Sequence, residues 1–420
     1  MFEYDRAGSE FPPREREKAL SDLTIEPMPI PVKAAASELA AHGGILTVDL
    51  GALAANYRQL GKLAPESEIA GVVKARAYGL GLEPVARTLA VSGCRTFFVA
   101  EAAEGRALRT LLPDASIYVL NGLLAGAGAA YVAHGLRPCL SSLSEIEEWA
   151  HQSKAAGTPL PAALHFDTGI NRLGLTRDET DRLLSGGPLL AGIEVTLVMS
   201  HLACADEPDH PLNARQIERF KAIRAAFPRV PASLSNSAGA LLGPEYHFDL
   251  IRPGIGLYGG NPLIGAENPF RRVVGLQARV LQVRDVARGE AVGYGAEFEA
   301  RRPSRLAVVS AGYGDGYFRA LGTRRQGGNS EAGRAYIAGN HVPLAGRVSM
   351  DLLSIDVSEL GPGAVRRGDL VELIGPHVSL EDVAARAGTI AYEVLTSLGE
   401  RYKRLYTGLD YSTSESHDPP

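Results

Sequence analysis

The segment Ala70–Leu82 reads AGVVKARAYGLGL, an apolar run that delivers Lys74 and then turns through Tyr-Gly-Leu-Gly. Burial of a lysine at the end of an apolar strand destabilises its ammonium form, which suits covalent chemistry with a carbonyl. A solvated lysine capping a strand is the plainer reading. Two later segments are rich in small residues, SNSAG at 235–239 and IRPGIGLYGG at 251–260. Small side chains let backbone N–H groups close on an anion, although tight turns have the same composition. Neither segment has the spacing of a dinucleotide-binding glycine motif. LHFDTGINRLGL puts Asp167 and Arg172 after a strand, MSHLAC ends a strand in His201, and VGYGAEF sets Tyr294 between glycines. Singly, the histidine and the tyrosine read more readily as packing than as catalysts.

These residues need elements to hold them. From about Ala52 to Tyr258, short apolar runs alternate with stretches of helical spacing. The strand candidates are Ile69–Val73, Thr96–Val99, Ile117–Leu120, Arg137–Leu140, Ala163–Asp167, Glu194–Ser200, Ala232–Ser235 and Phe248–Ile251. Stretches such as Leu143–Ala156 and Asn213–Phe227 lie between them with apolar residues at helical spacing. Strands alternating with helices to a count of eight predict a closed α/β barrel, with a doubly wound open sheet as the alternative. In a barrel, reactive groups gather at the C-terminal ends of the strands, where Lys74 falls. After about Phe270, strand-like runs separated by Gly, Pro and Asp predict a second, mostly β domain. The division expected is an N-terminal extension 1–43, a barrel 44–270, a β domain 271–406 and a tail 407–420. Both ends, and the loop 322–334, read as flexible.

The 420-residue chain carries a net charge of −5, with 45% hydrophobic and 22% charged residues. It shows no basic block, so nucleic acid and anionic membranes are poor partners. Three irregularly spaced cysteines, Cys94, Cys139 and Cys204, fit a reducing compartment better than a disulfide framework. Without an apolar signal core or a spanning segment, the chain reads as cytoplasmic.

A strand-end lysine, two anion-suited loops, an arginine and a distant tyrosine together fit pyridoxal phosphate. VVKARAYGLG, DTGINRLG, MSHLA, NSAG, IRPGIGLYG, GYG, AGYGDGY and AGRVSMD follow one another in an order that resembles the alanine racemases, the fold-type III pyridoxal-phosphate enzymes. The resemblance runs over residues 44 to 406. It implies a TIM-type (β/α)8 barrel followed by a mostly β C-terminal domain, with Gly44–Leu50 joining the latter. It implies an isomerase that interconverts L- and D-alanine for peptidoglycan and works as a homodimer with shared active sites. Lys74 would hold the cofactor as an internal aldimine and serve the D-enantiomer; Tyr294, reaching the partner's site, would serve the L-enantiomer. Tyr78, Ser237, Gly254 and Ile255 would bind the phosphate, and Arg252 the pyridine nitrogen, with His201 bridging Arg252 and Tyr294. Arg172 and the backbone N–H of Met350 from the partner would hold the substrate carboxylate. No metal is implied.

Three positions depart from the family pattern. Arg76 replaces the Asn or Asp common in the lysine motif. His165 stands where many members have a carbamylated lysine that orients the arginine matching Arg172, so His165 or a bound anion is left to do so. The tyrosine that helps hold the phosphate in many members falls near Glu400, with Tyr402 its possible substitute. Other readings are a broad-specificity racemase, a fold-type III decarboxylase, which Arg252 and Tyr294 oppose, and a non-catalytic cofactor carrier, which the β domain opposes.

Overall fold

The computed structural model describes residues 36–185, 188–323 and 332–408. Strands β1 (Gly44–Asp49), β2 (Glu68–Ile69) and β3 (Gly71–Val72) open the chain. They are followed by β4 (Thr96–Val99), β5 (Ser116–Val119), β6 (Arg137–Leu140), β7 (Leu160–His165), β8 (Ile193–Met199), β9 (Ala232–Ser233) and β10 (Leu250–Ile251). β3 to β9 form a seven-stranded parallel sheet in chain order. Its edges meet through β10, which pairs in parallel with β2. The Asp249 and Arg252 amides donate to the carbonyls of Ala232 and Ser235, and the Ala70 amide donates to that of Ile251. The sheet therefore curls into a TIM-like barrel, and the open-sheet alternative falls.

Helices alternate with these strands for reasons visible in their sequences. In Leu143–Ala156 the Ser142 side chain caps the start, accepting from the Glu145 amide, and Gly157 ends the helix at φ 69°. The spacing of Leu143, Ile146, Trp149 and Ser153 turns one face inward, and all four are buried.

The remaining strands are β11 (Val274–Val286), β12 (Ala291–Val292), β13 (Phe298–Glu299), β14 (Ser304–Val309), β15 (Arg334–Ile337), β16 (Asn340–Pro343), β17 (Leu353–Asp356), β18 (Leu370–Ile374) and β19 (Lys403–Thr407). Val274, Leu276, Ala278 and Val280 of β11 alternate inward, the period-two signature of a half-buried strand. β1 lies in this sheet, antiparallel to β11 and parallel to β19. β19 reaches Thr407, one residue into the stretch read from sequence as tail. The short helix Ala36–Ala40 ends against the same sheet, where Arg279 donates to the carbonyls of Leu39 and His42. Residues 1–35, 324–331 and 409–420, on which most of the expected flexibility falls, lie outside the described residues. Two helices, Leu380–Ala387 and Ala391–Ser397, precede β19, and the second forms part of the wall of the candidate site.

Candidate active site

A cavity of about 650 Å³ is lined by residues at or just after the C-terminal ends of the barrel strands, together with residues of the helix Ala391–Ser397. Lys74, Tyr78, His165, Arg172, His201, Ser237, Arg252, Gly254 and Ile255 all line it. Tyr294 and Met350 do not.

Lys74 follows β3 after one residue, Val73, and the four residues after it, Ala75 to Tyr78, all have φ between 52° and 56°. This is a left-handed turn made without glycine, a conformation costing roughly 1–2 kcal/mol per residue. Gly79 (φ 80°) then reverses the chain, and a Cβ there would lie 2.5 Å from the Leu395 carbonyl. The turn drops Tyr78 into the core, its ring centroid 4.6 Å from that of Tyr258, whose hydroxyl donates to the Val72 carbonyl at 2.8 Å. Burial and the nearby Arg172 lower the Lys74 pKa, with Glu104 opposing them. Lys74 and Arg172 have no hydrogen-bond or ion-pair partner among the described residues, so both are available to a ligand.

Arg172 rides on a loop built by Asp167, whose Oδ1 accepts from the amides of Gly169, Ile170 and Asn171. Three converging N–H groups on one carboxylate oxygen fix the loop before it reaches the arginine. Arg252 is buried, its guanidinium donating to the Ser233 hydroxyl and to the carbonyls of Ser200 (2.6 Å) and Leu234 (3.3 Å). Burial lowers its pKa to about 10, so it remains a cation at neutral pH. His201 Nδ1 lies 3.5 Å from Arg252 Nη2, and burial, Arg252 and Arg172 hold that imidazole neutral. His165 is similarly neutral, its pKa lowered to about 4 by burial, Arg252 and Arg172. Its Nδ1 is 3.4 Å from Ser141 Oγ, and its buried Nε2 has no partner among the described residues.

Also in the cavity wall, the Ser237 hydroxyl accepts from the amides of Gly254 (2.9 Å) and Gly256 (3.1 Å). Gly254 is required here: a Cβ would lie 2.1 Å from the Tyr78 hydroxyl. With both glycine amides donating to Ser237, the groups left to face an anion are the Ser237 and Tyr78 hydroxyls, set where the small residues of the loop let a ligand come close. Lys74, Arg172 and Arg252 meet a single lining carboxylate, Glu393, so the cavity favours negative charge.

The wall also holds Tyr392, which was not among the residues expected there; its ring lies 6.1 Å from that of Tyr78. Its only sequence signal was an aromatic beside a helix start in TIAYEV. Tyr402, the substitute considered for the missing tyrosine, is buried elsewhere, its hydroxyl without a partner among the described residues, and does not line the cavity. Glu400 pairs with Arg76.

Tyr294 and Met350 are 72% and 55% exposed. Tyr294 follows β12, and Arg347 holds its loop by packing under Gly295 and pairing with Glu297.

The N-terminal and C-terminal domain signatures of alanine racemase match residues 48–262 and 273–406. The alanine racemase of Methylobacterium nodulans is 50% identical over 365 residues, covering 87% of this chain and 96% of that protein. A relative named as the catabolic alanine racemase of Agrobacterium fabrum is 49% identical, covering 86% and 92%. Among solved structures, the alanine racemase of Bartonella henselae with covalently bound pyridoxal phosphate is 40% identical, with a TM-score of 0.82 and coverage of 87% and 99%.

Proposed function

The chain belongs to the alanine racemase family, and on that premise we propose that it interconverts L- and D-alanine with pyridoxal 5'-phosphate bound at Lys74. The observation that carries this reading is the meeting of Lys74, Arg172 and Arg252 in one cavity with the Ser237–Gly254 cradle. The group fits these residues. The cradle, with Tyr78 and Ile255, would hold the phosphate. Arg252 can only donate, so a ring nitrogen opposite it would accept and stay unprotonated. Lys74 supplies the amine for the aldehyde. When bound, the cofactor acidifies the α-hydrogen of an amino acid attached to it.

The chain's own residues then move the proton. Burial and Arg172 favour the neutral amine of Lys74, which takes or returns the α-proton on one face. Tyr294 does so on the other, with His201 linking it to Arg252. Arg172 and the Met350 amide hold the substrate carboxylate. Tyr294 and Met350 are exposed on the β domain and line no part of their own chain's cavity, so the reading includes a homodimer in which each chain completes the other's site. In this division of labour, residues 44–270 bind the cofactor and 271–406 carry the second base across.

No helix among the described residues is long and apolar enough to cross a membrane, and Cys94, Cys139 and Cys204 are all free, which supports a cytoplasmic enzyme. Its product D-alanine would feed peptidoglycan. Deleting the gene should then leave growth dependent on added D-alanine. Growth without it, with loss of growth on alanine, would instead support the catabolic role named for the Agrobacterium fabrum relative.

The activity is tested by following optical rotation from either enantiomer, and the site by borohydride reduction and peptide mapping. Racemisation from both sides with the label on Lys74 is expected. A label on another lysine overturns the assignment.

A further inference from the structure

The left-handed turn after Lys74 is costly, and it is held at both ends by charged side chains of opposite sign. At its start, the Ala75 amide donates to Glu104 Oε1 at 2.6 Å. The other carboxylate oxygen accepts from the Ala100 amide at 2.8 Å, so Glu104 ties the turn to the end of β4. At its end, Arg404 on β19 donates to the Gly79 carbonyl, from Nη2 at 2.8 Å and from Nε at 3.3 Å. Beside it the Tyr406 hydroxyl donates to the Leu80 carbonyl at 2.9 Å. A carboxylate thus meets the amide end of the turn and a guanidinium meets its carbonyl end. This is the arrangement in which both charges oppose the peptide dipoles favourably. Arg76, in the middle, pairs with Glu400 just before β19.

We propose that Glu104 and Arg404 are positioning residues for Lys74, clamping its turn between the barrel and the C-terminal strand of the β domain. Neither is among the residues that line the cavity, so they act through the backbone that carries the lysine. The left-handed region is unfavourable for Ala75, Arg76, Ala77 and Tyr78 alike, and such strain persists only where the surroundings over-determine it. Without the clamp the turn relaxes and the lysine leaves its line of attack. A displacement of about 1 Å costs on the order of a hundredfold in rate. The proposal rests on Lys74 being the reacting lysine.

Glu104 has a second duty, as the N3 residue of the capping box that opens helix Ala102–Leu111 with Glu101. Glu101→Ala loosens that cap without touching Ala75 and serves as the structural control.

The test compares Glu104→Ala, Glu104→Gln, Arg404→Ala and Glu101→Ala as holoenzymes. Each is measured for kcat and KM, for hydrogen–deuterium exchange over residues 73–81, and for the pH dependence of the visible cofactor band. Glu104→Ala and Arg404→Ala should each lower kcat about tenfold or more, with KM within about twofold, and speed exchange in that peptide. Glu104→Gln keeps one acceptor and should recover part of the rate, but its cofactor band should titrate at lower pH for want of the negative charge. Glu101→Ala should keep parental kcat. Parental kcat and exchange in Glu104→Ala and Arg404→Ala, or an equal loss in Glu101→Ala, overturns the clamp. With the borohydride label on Lys74, that result leaves the Lys74 assignment standing. A label on another lysine removes both.

Discussion

Tyr294 and Lys74 do not share a cavity within one chain: the lysine lines the barrel pocket, and the tyrosine stands 72% exposed on the β domain. If they are the two bases, each site must borrow its tyrosine from a second copy. Lys74→Ala and Tyr294→Phe proteins should each be nearly inactive, because every site lacks one base. After subunit exchange, a mixed dimer has one site with both lesions and one with none. Random exchange makes about half the dimers mixed, so activity should return to about a quarter of parent. No recovery, with exchange proven by mass spectrometry, would show that the bases come from one chain.

Arg252 is a structural residue as well as the proposed partner of the ring nitrogen. Its guanidinium serves the Ser233 hydroxyl and the Ser200 and Leu234 carbonyls at the ends of neighbouring strands. Lysine keeps the charge but cannot reach three acceptors in one plane. Arg252→Lys should lower unfolding free energy by about 2 kcal/mol through unsatisfied buried acceptors, and kcat by at least about tenfold. Urea unfolding and steady-state rates check both, and a variant unchanged in either refutes the dual role.

Gly254→Ala should cost cofactor retention, since the new methyl would fall 2.1 Å from the Tyr78 hydroxyl. Either the phenol or the loop after β10 must move, and both belong to the proposed phosphate cradle. The dissociation constant for pyridoxal phosphate should rise about tenfold or more, a loss of about 1.4 kcal/mol. Adding Tyr78→Phe should not deepen the loss additively, because it removes the clashing oxygen. Fluorescence titration of the resolved protein measures both, and additive losses would place the two residues in separate roles.

Much of the fold was legible because its signals are local. β4 and β6 lie within the expected strands Thr96–Val99 and Arg137–Leu140, and Leu143–Ala156 is helical as its spacing requires. Runs of Phe and Val, or a Ser cap with a terminal Gly, act over a few residues. The left-handed turn was not legible: ARAY is built from residues that favour a right-handed helix, and it is held by groups distant in sequence, Glu104 and Arg404. Tyr392 was missed for the same reason, since only the packing of the β domain over the barrel brings its helix to the cavity. Conversely, strand-end position in a parallel barrel converts sequence order into proximity, which is why Lys74, Arg172, Ser237 and Arg252 line one cavity; the roles expected of them came from the family resemblance.

His165 provides a test by pH. It is buried, its Nε2 has no hydrogen-bond partner among the described residues, and burial with Arg252 and Arg172 lowers its pKa to about 4. In the unfolded chain a histidine titrates near pH 6.5. As pH falls from about 6.5 to 4, the unfolded state therefore takes up a proton that the folded state refuses. Stability present above pH 6.5 is lost on the way down, by about 2–3 kcal/mol for this residue at pH 4.5. His201 is lowered too and adds loss in the same direction, while the carboxylates contribute alike to parent and variant. His165→Gln keeps a polar side chain but removes the titration. Unfolding free energy measured in urea at pH 7.5 and pH 4.5 should drop less for His165→Gln than for the parent, by about 2 kcal/mol or more. Equal drops would mean that His165 is protonated in the folded protein, and the neutral imidazole assigned beside Arg172 would have to be given up.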